Sequence, residues 1–268
     1  MTTHHCSLKV ADSLKESYRD YTNVNPLVIQ TYKLNHQLQT LNYVQEMKTK
    51  YCLNHNRFNM SMWDMLEKCN EIIDESDPDI HLPQIYHAIQ TAENIRTKYP
   101  KDRELQLVGL IHDVGKVLLL EDFGQLPQWS VVGDTFPLGC QYSNKIVYSE
   151  FFPDNNYDKF GIYTPNCGLD NLQMSFGHDE YLFSVLDNCC NINKENLRII
   201  RYHSFYAFHQ QNEYHYLANK KDLELKSLLQ MFSKCDLYSK EDTKNELEEY
   251  KSYYSELVEE FCPGKLDW

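Results

Sequence analysis

The stretch LIHDVGK, residues 110–116, places His112 and Asp113 side by side within the longer apolar run VGLIHDVGKVLLL. An ionised carboxylate in an apolar interior costs on the order of several kcal/mol unless something pairs with it. Asp113 is therefore exposed, matched by a cation, or present as an uncharged acid. The other polar residues of the chain bear on the choice among these three states.

Composition narrows the class of protein. The chain has 268 residues and a net charge of −13, and this sign disfavours a nucleic-acid partner, whose phosphates require clustered Lys and Arg. Nine cysteines without a C-x-x-C pair are typical of a reducing compartment. Neither a signal core nor an apolar run of 18 residues is visible. We therefore expect a cytoplasmic monomer with no membrane contact.

Helical periodicity recurs along the chain. Ser61 is placed to cap a helix whose apolar stripe is Met62, Leu66, Cys69 and Ile73. Pro83 opens a second helix with the stripe Ile85, Ile89 and Ala92, and residues 104–120 are apolar nearly all round, as in a central buried helix. Residues 121–176 read as ordered loops with short strands. Helical patterns resume in HDEYLFSVL (178–186), LRIIRYHSFYAFH (197–209), residues 223–240 and residues 246–261.

These patterns predict a mainly α fold. Residues 1–25 form a polar N-terminal arm, and residues 26–268 form a single helical domain. The chain has no G-x-G-x-x-G and no H-E-x-x-H, so neither a Rossmann nucleotide site nor a zinc-protease helix is indicated.

Polar residues stand at positions where helices should be buried. Lys116 shares one helix side with Asp113, so an intrahelical ion pair explains that pair as well as a metal does. Asp236 lies on the apolar stripe of its own helix, four residues after Phe232. His203 falls on an apolar face, where a histidine taken alone is more often a satisfied core residue than a metal ligand.

Two further histidines are open to either interpretation. His87 shares a polar stripe with Thr91 and Asn94, which is either a solvated surface or the wall of a site. His178 begins a helix and is compatible with a capping region. A cation site would explain all these residues together, and imidazole with carboxylate suits Fe, Mn, Zn or Ni. Four His and two Asp exceed the needs of one ion and fit two metals bridged by a carboxylate, with Asp113 as the natural bridge.

A resemblance adds to this interpretation. The order His87, His112–Asp113, Asp236 resembles the H…HD…D pattern of the HD-domain superfamily of helical metal proteins. Longer strings resemble myo-inositol oxygenase, from about Arg19 to Trp268: YHAIQTAENIR (86–96), LIHDVGKVL (110–118), PQWSVVGDTFPLGC (127–140), CGLDNLQMSFGHDEYL (167–182), RYHSFY (201–206), KCDLYSK (234–240) and FCPGKLDW (261–268).

The resemblance implies a cofactor of two Fe ions, mixed-valent Fe(II)/Fe(III) when active. By resemblance His87, His112 and Asp236 hold one iron, His178 and His203 hold the other, and Asp113 bridges them. The implied reaction is the ring cleavage of myo-inositol by O2 to D-glucuronate. The substrate diol would chelate the iron at His178 and His203, and an iron–superoxo species would take the carbinol hydrogen.

The resemblance also implies how the polyol is held. Lys116 would stabilise the substrate alkoxide and is the expected catalytic residue. The expected substrate contacts are Arg19, Asp74, Ser76, Lys116, Gly133, Asp134, His203 and Ser204. Tyr32 is expected to help cover the pocket. Two alternatives stay open: an HD-type metal-dependent phosphohydrolase, and a non-catalytic sensor of a polyol or a metal.

Overall fold

The computed structural model describes residues 19–53, 55, 57–78, 83–187, 189–237 and 247–268. Most of the predicted polar arm, residues 1–18, lies outside this part of the chain. The described residues form eleven α-helices and one two-stranded sheet, which confirms the mainly α fold class. The helices are α1 (Pro26–Leu38), α2 (Leu41–Met47), α3 (Met62–Lys68), α4 (Gln84–Lys98), α5 (Arg103–Ile111), α6 (Gln128–Val131), α7 (His178–Leu186), α8 (Lys194–Tyr202), α9 (Tyr206–His209), α10 (Lys220–Leu237) and α11 (Leu247–Phe261).

Helix α3 begins where the sequence predicts. Ser61 and Asp64 form a capping box in which each side chain accepts from the other residue's backbone N–H. The predicted stripe is wrong at its last position, because Ile73 is 47% exposed while Ile72 is in the core. A 3₁₀ turn over Cys69–Glu71 follows α3 and shifts the phase of the buried face.

Helix α4 is covered on both sides. It begins directly after Pro83, packs along α5 and α10, and buries the predicted stripe of Ile85, Ile89 and Ala92. The opposite stripe is also buried, with His87 at 8% exposure and Thr91 at 0%. Of the two interpretations of that polar stripe, the structure therefore supports the wall of a site.

The predicted central helix over 104–120 is wrong in its second half. Helix α5 ends at Ile111, and Val114–Leu119 is a 3₁₀ helix. In a 3₁₀ helix the side chains at i and i+3 eclipse each other. The change of helix type therefore brings Lys116 over Asp113, with Nζ 2.8 Å from Oδ2.

The short strands predicted within 121–176 do not form. This described segment holds α6, 3₁₀ turns and one isolated bridge between Pro137 and Met174. The two strands, β1 (Asn59–Ser61) and β2 (Lys265–Asp267), lie elsewhere and pair antiparallel. The indole Nε1 of Trp268 donates to the Met60 carbonyl at 3.0 Å, so the last residue is part of the core. None of the described helices has the length and apolar character of a transmembrane span.

A buried carboxylate on α7 ties three segments together. Glu180 contacts Lys48 at 2.7 Å and accepts from Arg201 Nε at 2.7 Å and Nη2 at 3.0 Å. Burial would raise the pKa of Glu180, but the cations Arg201 and Lys48 outweigh it and hold that pKa below its ordinary value. These ion pairs therefore contribute their full stabilisation above the pKa that Glu180 has in the unfolded chain. The contribution is lost as the pH falls through the lower pKa that Glu180 has in the folded protein.

We expect Glu180→Gln to lower the free energy of unfolding by about 3 kcal/mol at pH 7, because it leaves two cations without their carboxylate. The difference from wild type should shrink below about pH 4.5, where the unfolded chain begins to protonate this group. Urea unfolding at pH 7 and pH 3.5 measures both values. Glu260→Gln, in an exposed pair with Arg103, is the control and should cost under about 1 kcal/mol at either pH. A gap for Glu180→Gln that does not depend on pH would contradict the expectation.

Gly115 is the point where the 3₁₀ helix meets the start of α7. A Cβ at this position would lie 2.0 Å from the carbonyl oxygen of His178 and 2.8 Å from its carbonyl carbon. Both atoms belong to backbone and cannot move aside as a side chain can. The absence of a side chain at residue 115 therefore allows Lys116 and His178 to face the same space.

Gly115→Ala should lower the free energy of unfolding by about 1–3 kcal/mol or more, because the overlap forces a backbone shift. Gly109→Ala is the matched control on α5, since its Cβ would lie 2.6 Å from the Cδ1 end of the Ile95 side chain and no closer than 3.2 Å to backbone, at Ala92 Cα, so a smaller loss is expected. Urea denaturation of both variants gives the comparison. Equal losses for the two would show that the contact with His178 is not the limiting one.

Candidate metal centre

One cavity collects every residue predicted to act in the site. It is lined by the six predicted metal ligands, His87, His112, Asp113, His178, His203 and Asp236. It is also lined by Tyr32 and by the predicted polyol contacts, Arg19, Asp74, Ser76, Lys116, Gly133, Asp134 and Ser204.

The six predicted ligands lie at helix ends, and Asp113 directly precedes the 3₁₀ helix Val114–Leu119. His87 is in the first turn of α4, and His178 is the first residue of α7. His112 and His203 are the residues that close α5 and α8, and Asp236 is in the last turn of α10. Residues from five helices can converge because the chain enters or leaves each helix within about one turn of the predicted ligand.

The two oxygens of Asp113 face two different groups of imidazoles. Oδ1 lies 3.1 Å from His178 Nε2 and 3.5 Å from His203 Nε2. Oδ2 lies 3.5 Å from His112 Nε2 and 3.7 Å from His87 Nε2. Ligands that share one ion at about 2.1 Å lie about 3 Å apart, so these spacings fit one cation on each side of the carboxylate. The same two groups, each with Asp113, meet the geometry of a metal-binding cluster.

Asp236 completes the first group. Its Oδ1 lies 2.8 Å from His87 Nε2 and 3.5 Å from His112 Nε2. Asp236 therefore faces the same point as Asp113 Oδ2. The first group offers two imidazoles and two carboxylates, and the second offers two imidazoles and the shared carboxylate.

Backbone carbonyls orient three of the imidazoles. Nδ1 of His112 lies 2.8 Å from the Gly109 carbonyl, and Nδ1 of His203 lies 2.7 Å from the Ile200 carbonyl. Nδ1 of His178 lies 2.7 Å from the carbonyl of Val131. A carbonyl only accepts, so each Nδ1 carries the proton and each Nε2 lone pair faces the centre. The two Nε2 atoms of His178 and His203 are 3.2 Å apart, which suits two ligands of one ion.

The charges of the site do not balance without a further cation. Lys116 Nζ contacts Asp74 Oδ2 at 2.7 Å, Asp113 Oδ2 at 2.8 Å and Gln84 Oε1 at 2.8 Å. The predicted ion pair with Asp113 therefore forms, but its one positive charge is shared by two carboxylates, and Asp236 adds a third carboxylate to the cavity. A metal site explains the remaining negative charge, and the donor set of imidazole and carboxylate fits a first-row divalent metal.

The ionisation of these groups follows from the same contacts. Burial would raise the pKa of Asp113, but Lys116 and His112 hold it well below its usual range. Burial would also raise the pKa of Asp236, but the neighbouring His112 and His87 hold it well below its usual range. Burial would lower the pKa of Lys116, but the carboxylates of Asp113 and Asp74 outweigh it and raise that pKa above its ordinary value. These directions, with the Lys116 ammonium 2.8 Å from Asp113, favour charged carboxylates over the uncharged acid considered for Asp113.

The second part of the cavity is polar and already ordered. Ser76 donates to Asp74 at 2.6 Å, and Tyr32 donates to Asp134 at 2.9 Å. Arg19 forms an ion pair with the same Asp134. These residues offer fixed donors and acceptors to a ligand that carries several hydroxyl groups.

Sequence reasoning missed five residues of the site, including Asp77 and Pro78, which line the cavity. Gln84 contacts Lys116 and lies three residues before His87, so the polar stripe of α4 could have included it. Tyr21 and Tyr206 line the cavity. Neither tyrosine stands in a pattern that distinguishes it from the other 18 tyrosines of the chain.

Comparison with known proteins agrees with this geometry. The family model described as "Myo-inositol oxygenase" matches residues 25–268. Inositol oxygenase 1 of Arabidopsis thaliana is 47% identical over 96% of this chain and 86% of its own length. Inositol oxygenase of Danio rerio is 44% identical over 95% of this chain and 94% of its own length. Inositol oxygenase of Dictyostelium discoideum is 42% identical over 100% of this chain and 98% of its own length. By these matches, and with the predicted ligands gathered in one cavity, the chain belongs to the myo-inositol oxygenase family.

Proposed function

We propose that this protein is an oxygenase that uses O2 to cleave the ring of myo-inositol, giving D-glucuronate and water. The observation that carries the proposal is the position of Asp113. Its two oxygens face two groups of imidazoles at the base of a polar cavity. Relatives named inositol oxygenase at 42–47% identity support the same reaction.

The proposed cofactor is a pair of iron ions. His87, His112 and Asp236 would hold one, His178 and His203 would hold the other, and Asp113 would bridge them. When bound, this pair supplies the one-electron chemistry that O2 needs to react with a closed-shell substrate, and in the active state it is mixed-valent Fe(II)/Fe(III). The donor set contains no thiolate, which supports iron over copper(I) or an iron–sulfur cluster.

The protein's own contribution begins with Lys116. Its ammonium is held by Gln84, Asp74 and Asp113 at 2.7–2.8 Å, so its position is defined before the substrate enters. A substrate oxygen that takes the place of one carboxylate would receive a charge-assisted hydrogen bond from Nζ. Such a donor stabilises an oxygen on which negative charge develops, and Gln84 would keep the amine in place during the exchange.

The paired charges of the cavity favour a neutral polyol. Lys116 is bonded to Asp74 and Asp113, and Arg19 is bonded to Asp134. A phosphohydrolase uses Arg and Lys side chains to hold phosphate oxygens. Here those two cations are already matched by carboxylates, which supports the oxygenase over an HD-type phosphohydrolase. A non-catalytic sensor would keep the same contacts, and an experiment distinguishes it from the oxygenase.

The test is a single-turnover experiment. The protein is loaded with Fe(II) without oxygen, mixed with myo-inositol and given limited O2, and glucuronate and oxygen uptake are measured. The proposal expects one glucuronate for each O2 taken up beyond the uptake of a control without myo-inositol, in which O2 oxidises only the iron. Binding of myo-inositol without product would favour the sensor, and hydrolysis of a phosphoester without oxygen uptake would favour the phosphohydrolase. A cytoplasmic location, a monomeric state and the arm–domain boundary at residue 25 stay predictions.

Asp113→Asn should lower the affinity for both metals by at least about 100-fold, because a neutral amide cannot bridge two cations. The measurement is metal content per chain after anaerobic loading and gel filtration, together with the melting temperature with and without metal. Asp187→Asn, at an exposed position after α7, is the matched control. Two normally bound metals in Asp113→Asn would rule out the bridging role.

Lys116→Met should lower kcat by about 100- to 1,000-fold while most of the metal is retained, because the ammonium stabilises charge in the reaction and is not a metal ligand. Initial rates are compared at equal metal content. Lys220→Met is the control, since that side chain is 92% exposed. A kcat within threefold of wild type would contradict the assigned role.

A further inference from the structure

The guanidinium of Arg19 is held on several sides at the edge of the cavity. Its Nη2 donates to Tyr21 Oη at 2.8 Å and forms the ion pair with Asp134. The hydroxyl of Tyr32 donates to that same carboxylate at 2.9 Å. The backbone of Arg19 has a φ of 66°, a conformation that residues other than glycine adopt rarely. Surrounding contacts must therefore maintain it.

Tyr206 covers the flat face of this guanidinium. The Arg19 Cζ lies 3.6 Å from the centre of the Tyr206 ring and 5.5 Å from that of Tyr21. The shorter distance is close contact between a planar cation and a ring face, the arrangement in which a cation–π interaction is strong. Tyr206 thus closes the side of Arg19 that its hydrogen bonds in the guanidinium plane leave open.

Tyr206 also connects Arg19 to the metal-binding half of the cavity. It opens α9, two residues after Ser204 and three after His203. Burial and the nearby Asp236 carboxylate raise the pKa of Tyr206 well above its usual value. The phenol is therefore neutral in the ordinary pH range, and its ring lies between Arg19 and the segment that carries two predicted site residues.

We propose that Tyr206 is a positioning residue, whose ring holds the Arg19 guanidinium against Asp134 and so fixes the polar groups that receive a hydroxyl of the substrate. The proposal rests on the function proposed above, because it takes the ligand to be a neutral polyol. Tyr206 contacts Arg19 directly and acts on the substrate through it. It therefore affects the binding of myo-inositol more than the chemical step.

Removal of the ring gives a measurable loss of binding. Tyr206→Leu should raise the dissociation constant of myo-inositol, measured on the Fe(II) protein without O2, by about 2- to 30-fold. KM should rise by a similar factor while kcat changes less than twofold. Tyr206→Phe keeps the ring face and should rescue most of the lost affinity. A Phe variant as weak as the Leu variant, or a Leu variant that binds like wild type, would overturn the proposal.

A double-mutant cycle separates positioning from general damage to the fold. In an Arg19→Gln background there is no cation for the ring to hold, so Tyr206→Leu should then change the dissociation constant less than twofold. An equal loss of affinity in both backgrounds would mean that Tyr206 acts through something other than Arg19 and would contradict the proposal.

A readout without substrate keeps this test distinct from the test of function. Trypsin must take up the Arg19 side chain to cut the bond between Arg19 and Asp20. Tyr206→Leu should speed the release of the fragment that begins at Asp20, followed by mass spectrometry on the whole protein, and Tyr206→Phe should not. If wild type binds no myo-inositol, the proposed function fails, and faster cleavage still supports the contact. Equal cleavage rates in wild type and Tyr206→Leu refute it.

Discussion

Negative charge gathered inside an apolar helical bundle is the constraint on which this structure depends. Asp113, Asp236 and Asp74 are each no more than 6% exposed, and Lys116 is the ammonium that contacts two of them. Desolvation opposes every one of these charges, so they persist only where imidazoles, an ammonium and a metal offset it. The helix ends, the change to a 3₁₀ helix after Asp113 and the missing side chain at Gly115 all serve to bring these groups together.

Sequence reasoning identified the parts of the site that obey a local rule. A polar residue on an apolar helical stripe is visible without a structure, as for Asp236 and His203, and the His112–Asp113 doublet in an apolar run is more visible still. The helix starts at Ser61 and Pro83 were predictable for the same reason, because caps and first-turn prolines act within a few residues. Residue types alone led to two bridged metals, and the family resemblance added iron and the polyol.

What sequence reasoning missed depends on contacts distant along the chain. Asp74 and Lys116 meet across 42 residues of sequence, and Asn59 of β1 pairs with Asp267 of β2 across 208 residues. Ile73 was assigned to the core because periodicity assumes an uninterrupted α-helix, and a 3₁₀ turn breaks that assumption. The short strands expected in 121–176 failed because β-branched and aromatic residues there pack into the core from loops, which period-2 alternation cannot distinguish from a strand.

The early end of α5 also determines which nitrogen of His112 can bind a metal. A helix that continued as the apolar pattern suggests would direct the backbone N–H of Asp113 at the Gly109 carbonyl. That carbonyl instead lies 2.8 Å from His112 Nδ1, and His203 repeats the arrangement with Ile200 at the end of α8. The terminal turn of each helix thus selects the tautomer of the histidine that closes it. Helix length is in this sense part of how the candidate metal centre is prepared, and one added turn of α5 would compete for the carbonyl that orients His112.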